Sequence, residues 1–183
     1  MFQTSGYEIS FVAETGRRGD DFDFTAHKNG TDVAVEVTHI KRDRFYVSTL
    51  RNKLQEKRTQ VPADRPAVLC IFVKTGWVEH AAIEQDTQIV IDGFFKQSRR
   101  YGCVLINFET WHDTSVGPAR ARARRPYMHP NPYHSLPDTS FVRRQTLDEL
   151  MERINERRIA GEVQDGEPCF SIPVSFVKWI RDQ

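Results

Sequence analysis

Two short segments place carboxylates where they could share a cation: Asp21 and Asp23 in Gly19-Asp-Asp-Phe-Asp-Phe24, and Glu36 in Val33-Ala-Val-Glu-Val-Thr38. Both alternate with a period of two. Phe22, Phe24 and Ala26 share one face of the first, with Asp21, Asp23 and Thr25 on the other; Val33, Val35 and Val37 share one face of the second, opposite Ala34, Glu36 and Thr38. Between them Asn29-Gly30 has the composition of a two-residue hairpin turn. Folded about that turn, the parity predicts Asp23 and Glu36 on one face of neighbouring strands. Facing carboxylates repel one another, and a divalent cation would remove that cost. Magnesium uses one or two protein carboxylates and completes its shell with water and phosphate oxygens. It polarises a phosphoryl group and lowers the pKa of a bound water. A polar strand face is more often simply solvated, so the pair gains meaning only from its surroundings.

The surroundings are basic. Lys41 to Arg58 contains seven basic residues and two acidic ones, and Thr114 to Pro137 contains no Asp or Glu but holds Arg120, Arg122, Arg124 and Arg125. The net charge is only +1, so this is an acidic spot flanked by basic segments, a distribution suited to a metal-dependent phosphodiesterase. The four arginines could grip phosphates, and Tyr127, His129 and Tyr133 could stack on bases. A solvated loop would have the same composition. His39 could serve as a general base near the carboxylates or stand as an ordinary strand-end histidine.

These side chains need a scaffold. Tyr7 to Ala13 reads as a strand with Tyr7, Ile9 and Phe11 on one face, giving three successive antiparallel strands with the two acidic segments. Ser48 is a candidate cap for a helix to about Gln60, which Pro62 ends. Pro66 to Val73 is a continuous apolar run, as in a strand covered on both faces. Glu79 to Ser98 reads as a helix burying Ile83, Ile89, Val90, Phe94 and Phe95, and Tyr101 to Phe108 as a second buried strand. The predicted order is β-β-β-α-β-α-β, an α/β fold with a mixed sheet flanked by helices. Gly117 to Pro137, with five prolines, reads as an extended loop. Thr146 to Ile159 reads as an amphipathic helix, and a short element is expected within 171–180. The expected division is a core over 1–113 and an extension over 114–183 that packs on it.

The segment GDDFDF…NGTDVAVEVT resembles the signature of the PD-(D/E)xK, or restriction-endonuclease-like, nucleases. The resemblance covers about residues 7–110 and extends to the element order, with the C-terminal part as an extension of the core. It implies Asp23 and Glu36 as metal ligands with the Val37 carbonyl as a third, Asp21 being the alternative first ligand, and Mg²⁺ or Mn²⁺ as cofactor. The chain departs from the pattern at position 38, where Thr38 stands in place of the signature lysine; Lys57 or Lys53 from the following helix, or Lys41, could reach the same space. The opening helix with its Glu is also missing, with Glu8 and Glu14 as weak substitutes. The function implied is metal-dependent phosphodiester hydrolysis, with nucleic acid as partner (DNA ahead of RNA) and a homodimer as one assembly open to it. A catalytically inactive nucleic-acid-binding or interaction module, or an unrelated α/β domain, are the competing readings.

Composition sets the outer bounds. One domain of ordinary globular hydrophobicity fits 183 residues. No apolar run approaches the ~20 residues of a membrane-spanning helix, and the N-terminus lacks a signal-peptide layout, so no membrane association and a cytoplasmic location are expected. Cys70, Cys103 and Cys169 are widely spaced; buried thiols are expected rather than a zinc site or disulfides.

Overall fold

The computed structural model describes residues 2–139 except 14, 17, 18, 20, 78, 79, 115 and 116; the side chains of 4, 75 and 109–123 also lie outside the description. The chain divides into two compact units, residues 1–108 with 123–143, and residues 109–122 with 144–183. The first holds the segments that carry Asp23, Glu36, Lys57 and Tyr101. The expected helix over 146–159, the element within 171–180, Cys169 and Glu14 fall outside the described residues.

The fold is α/β, with a six-stranded mixed sheet in the order β1-β2-β3-β4-β5-β6. The strands are β1 (Glu8–Phe11), β2 (Phe24–Lys28), β3 (Thr31–Ile40), β4 (Ala67–Lys74), β5 (Cys103–Thr114) and β6 (Gly117–Met128); the helices are α1 (Val47–Lys57) and α2 (Ile83–Gln97). β1 and β2 run antiparallel, as do β2 and β3. β3 and β4 are parallel, Val35 beside Val68 and Ile40 beside Val73. Asn29 and Gly30 have φ of 52° and 75°, the left-handed pair that a two-residue turn needs to match strand twist. This turn pairs Lys28 with Thr31 and so sets the whole β2–β3 register.

β3 is apolar on one face because it lies centrally: Val33, Val35, Val68, Cys70, Cys103 and Leu105 form a buried cluster with Phe2 and Tyr7. The face bearing Ala34, Glu36 and Thr38 is buried as well. α1 lies over it, packing on β3 and against α2. The helix-facing residues of α2 are Ile83, Thr87, Val90, Ile91, Phe94 and Phe95, a regular i, i+4, i+7, i+8 stripe. Ile89 falls off that stripe and is exposed, which corrects its assignment to the buried side.

Three other expectations are corrected. α1 begins after Tyr46, and no side chain caps it, so Ser48 is an interior residue. The first acidic segment becomes a strand only at Phe24, because Asp21 turns away to accept hydrogen bonds from the Thr15 amide at 2.6 Å and the Thr15 hydroxyl at 2.7 Å. Gly117–Met128, read as loop, is strand β6. It alternates Ala119, Ala121 and Ala123 with Arg120, Arg122 and Arg124; alanine gives this pattern little hydropathic contrast. It ends the strand order, and an edge strand tolerates Pro118 and Pro126.

Candidate metal centre

The hairpin register places Asp23 one residue beyond the Phe24–Val35 pair, opposite Glu36. The Asp23 amide donates to the Val35 carbonyl at 3.2 Å, and its carboxylate Oδ2 accepts from the Val37 amide at 2.6 Å. Backbone groups of alternate strand residues point the same way. The Val37 carbonyl therefore lies on the Asp23 side of β3, as the Val35 carbonyl does. The register thus sets both carboxylates and this carbonyl near the start of β2. Asp21 is not part of the group, since it is held by Thr15.

Glu36 is only 4 % exposed. An unpaired carboxylate there would be costly, but Lys57 Nζ lies 2.8 Å from Glu36 Oε1. Lys57 occupies the last turn of α1, where a cation also suits the helix dipole, and its side chain crosses from helix to sheet. Burial pushes the Glu36 carboxyl above its ordinary range; the Lys57 hydrogen bond and charge oppose this, and the charges of Asp23 and Glu56 add to it. That Asp23 acts on Glu36 in this way agrees with their placement on one face.

Lys53, the other helix candidate, donates instead to Glu56 Oε2 at 2.7 Å. Glu56 Oε1 lies 3.7 Å from Lys57 Nζ, so the exposed Glu56 joins the two lysines on the solvent side. Thr38 is buried and uncharged. Lys41 lies past the end of β3, and His39 stacks on Phe72 at 4.9 Å between ring centroids.

Tyr101, which had not been singled out from sequence, completes the surroundings. It is fully buried, and its hydroxyl donates to the Lys57 carbonyl at 2.7 Å, fixing the end of α1 from which Lys57 reaches. Burial raises its phenol pKa well above the ordinary value, with Glu36 and Asp23 contributing. An aromatic hydroxyl opening a buried strand was the only sequence clue to this role.

Two aromatic residues of the basic segment, Tyr127 and His129, depart from expectation. Arg125 pairs with Glu84 and lies over the Tyr127 ring at 5.5 Å. Tyr127 and His129 are buried, so neither can stack on a base. Tyr133 is exposed, with Arg99 over its ring at 5.0 Å. Arg124 is exposed, and the side chains of Arg120 and Arg122 lie outside the described residues.

Two carboxylates and a backbone carbonyl are hard oxygen donors, a set that fits one Mg²⁺ or Mn²⁺ with water filling the remaining positions. Among the described residues there is no group of three or more His, Cys, Asp or Glu side chains that could hold a metal by themselves. Cys70 and Cys103 are free and buried. Comparison with models of known protein families, with curated proteins and with solved structures gives no match.

Proposed function

We propose that the chain is a divalent-metal-dependent nuclease with a divergent PD-(D/E)xK core, in which Lys57 serves where Thr38 replaces the signature lysine. The observation that carries this reading is the buried 2.8 Å contact between Lys57 and Glu36 beside Asp23. Asp23, Glu36 and the Val37 carbonyl would hold Mg²⁺ or Mn²⁺. When bound, the ion supplies Lewis-acid polarisation of the phosphoryl group and an acidified water. Lys57 contributes positive charge where negative charge develops on the phosphate. Tyr101 fixes the helix end, and Asp23 is oriented by the Val37 amide.

The test is cleavage of labelled DNA, and of RNA of the same sequence, with Mg²⁺, Mn²⁺ or EDTA. Glu36→Gln is the variant of choice, because Glu36→Ala would also leave Lys57 in a buried cavity without its partner. Metal-dependent cleavage, with DNA cut faster and with a loss of about a hundredfold or more in the variant, is expected from removal of a ligand and of electrostatic stabilisation. Equal cleavage by both proteins would sink the reading. Absence of cleavage by the wild type would favour an inactive nuclease-fold module, for which uncharged Thr38 is the supporting observation.

A further inference from the structure

The carboxyl ends of β3 and β4 gather positive charge that nothing in the metal centre uses. Ile40 is paired with Val73, so continuing the parallel register sets Lys41 beside Lys74. Arg42 and Arg44 follow on the loop into α1, and all four are exposed. Among the described residues no carboxylate lies within ion-pair distance of any of them, although Lys28, Lys53, Lys57, Arg65 and Arg125 are all paired. Asp43 is the single acid in this loop. Like charges set side by side on neighbouring strands destabilise the fold.

The loop is also firmly anchored. The buried Trp77 indole donates to the Arg42 carbonyl at 3.0 Å. Phe45 is buried, packing edge-on against Trp77 and flat against His80, at 5.0 Å in each case. His80 in turn meets Asp86 at 2.8 Å, which removes that carboxylate as a local counter-charge. A Cβ on Gly76 would sit 2.5 Å from the Asp43 carbonyl oxygen, so only glycine permits this approach. The backbone is thus clamped from below while the cations project outward. Arg42 stands over one face of the half-exposed Tyr46 ring at 5.9 Å.

A path connects this patch to the carboxylates. β2 pairs with β3 only as far as Val35, and beyond Asp23 the β2 side of residues 37–40 has no strand partner among the described residues. That edge leads from Glu36 to Lys41, roughly 17 Å at the rise of a strand.

We propose that Lys41, Arg42, Arg44 and Lys74 grip the phosphodiester backbone of a nucleic-acid strand and lead it along the β3 edge to Asp23 and Glu36. This deepens the nuclease reading and rests on it for the second half of the path. Four exposed cations on an anchored loop and strand end with an adjoining aromatic ring fit a phosphate backbone better than an isolated small anion.

The experiment measures binding of a fluorescent single-stranded oligonucleotide by anisotropy in EDTA across a NaCl series, so that no cleavage intervenes. Proteins compared are the wild type, the fourfold Lys41→Ser/Arg42→Ser/Arg44→Ser/Lys74→Ser variant, and Arg51→Ser/Lys96→Ser as a control for loss of exposed charge elsewhere. The fourfold variant should bind at least tenfold more weakly at low salt, with the log–log salt slope reduced by about 3, at roughly 0.7 for each phosphate that is no longer neutralised. The control should bind nearly as the wild type does. Should the fourfold variant melt early, Arg44→Ser/Lys74→Ser should show about half the slope change. Equal weakening in the control, an unchanged slope in the loop variants, or no binding by the wild type would overturn the proposal, the last pointing to an acidic protein instead. Loss of binding in the loop variants without any cleavage by the wild type would leave this surface standing and remove the nuclease reading alone.

Discussion

Lys57 and Lys53 lie one helical turn apart, and spacing put Lys57 only slightly ahead; what separates them is which acid each meets. Lys57 is directed inward to Glu36 and Lys53 outward to Glu56. Lys57→Ala should therefore reduce cleavage by about a hundredfold or more, as expected for loss of a charge placed at the developing phosphorane, while Mn²⁺ binding measured by calorimetry persists. Lys53→Ala should stay within a few-fold of wild type, since it removes only an exposed i, i+3 pair. Full activity in Lys57→Ala would exclude this lysine. The carboxylate parity was readable because a period-two pattern on both sides of Asn29-Gly30 leaves little freedom in register. The burial of Glu36 was not readable. It depends on α1 crossing the sheet, a long-range packing event with no trace in local alternation.

At the scale of elements, helices and central strands followed from hydrophobic period, and errors arose where period and hydropathy diverged. Ile89 is apolar but out of phase with α2, and phase prevails because the buried stripe is continuous without it. β6 carries alternation without apolarity in its sequence, so hydropathy gave no sign of a strand there. The Gly76 contact was likewise invisible, as it joins the 3-10 turn Thr75–Trp77 to a loop more than thirty residues earlier. Gly76→Ala should destabilise the protein by about 2 kcal/mol through overpacking against backbone that cannot move aside. Urea unfolding measures this, and a variant as stable as wild type would mean the loop and the 3-10 turn are not clamped together.

Across the whole first unit, His129 ties the segment after β6 to the end of α2. Its Nε2 lies 3.1 Å from the Phe95 carbonyl and 3.2 Å from that of Ser98, and its Nδ1 accepts from the Asn131 amide at 2.9 Å. That geometry requires the neutral ring with the proton on Nε2. Burial, the largest cause, depresses its pKa below the ordinary 6.5. The unfolded chain therefore takes up a proton on this side chain more readily than the folded one. The stability it contributes is present above about pH 6.5 and is lost as pH falls through the depressed folded value. Thermal melting should show a larger fall in Tm between pH 7.5 and 5.5 for the wild type than for His129→Gln, whose amide does not titrate; identical falls would assign the acid sensitivity elsewhere. Sequence offered only a histidine in a proline-rich segment. No helix among the described residues is long and apolar enough to cross a membrane.

Tyr101 has an optical consequence. Its neutral phenol is sealed from solvent within the field of Glu36 and Asp23, so its near-ultraviolet absorption responds to the charge of those carboxylates and not to the bulk medium. A cation held by them, as the proposed metal centre requires, would offset their negative charge at the ring. On the proposed reading, Tyr101 would report metal occupancy of the carboxylate pair as a difference spectrum without any added dye.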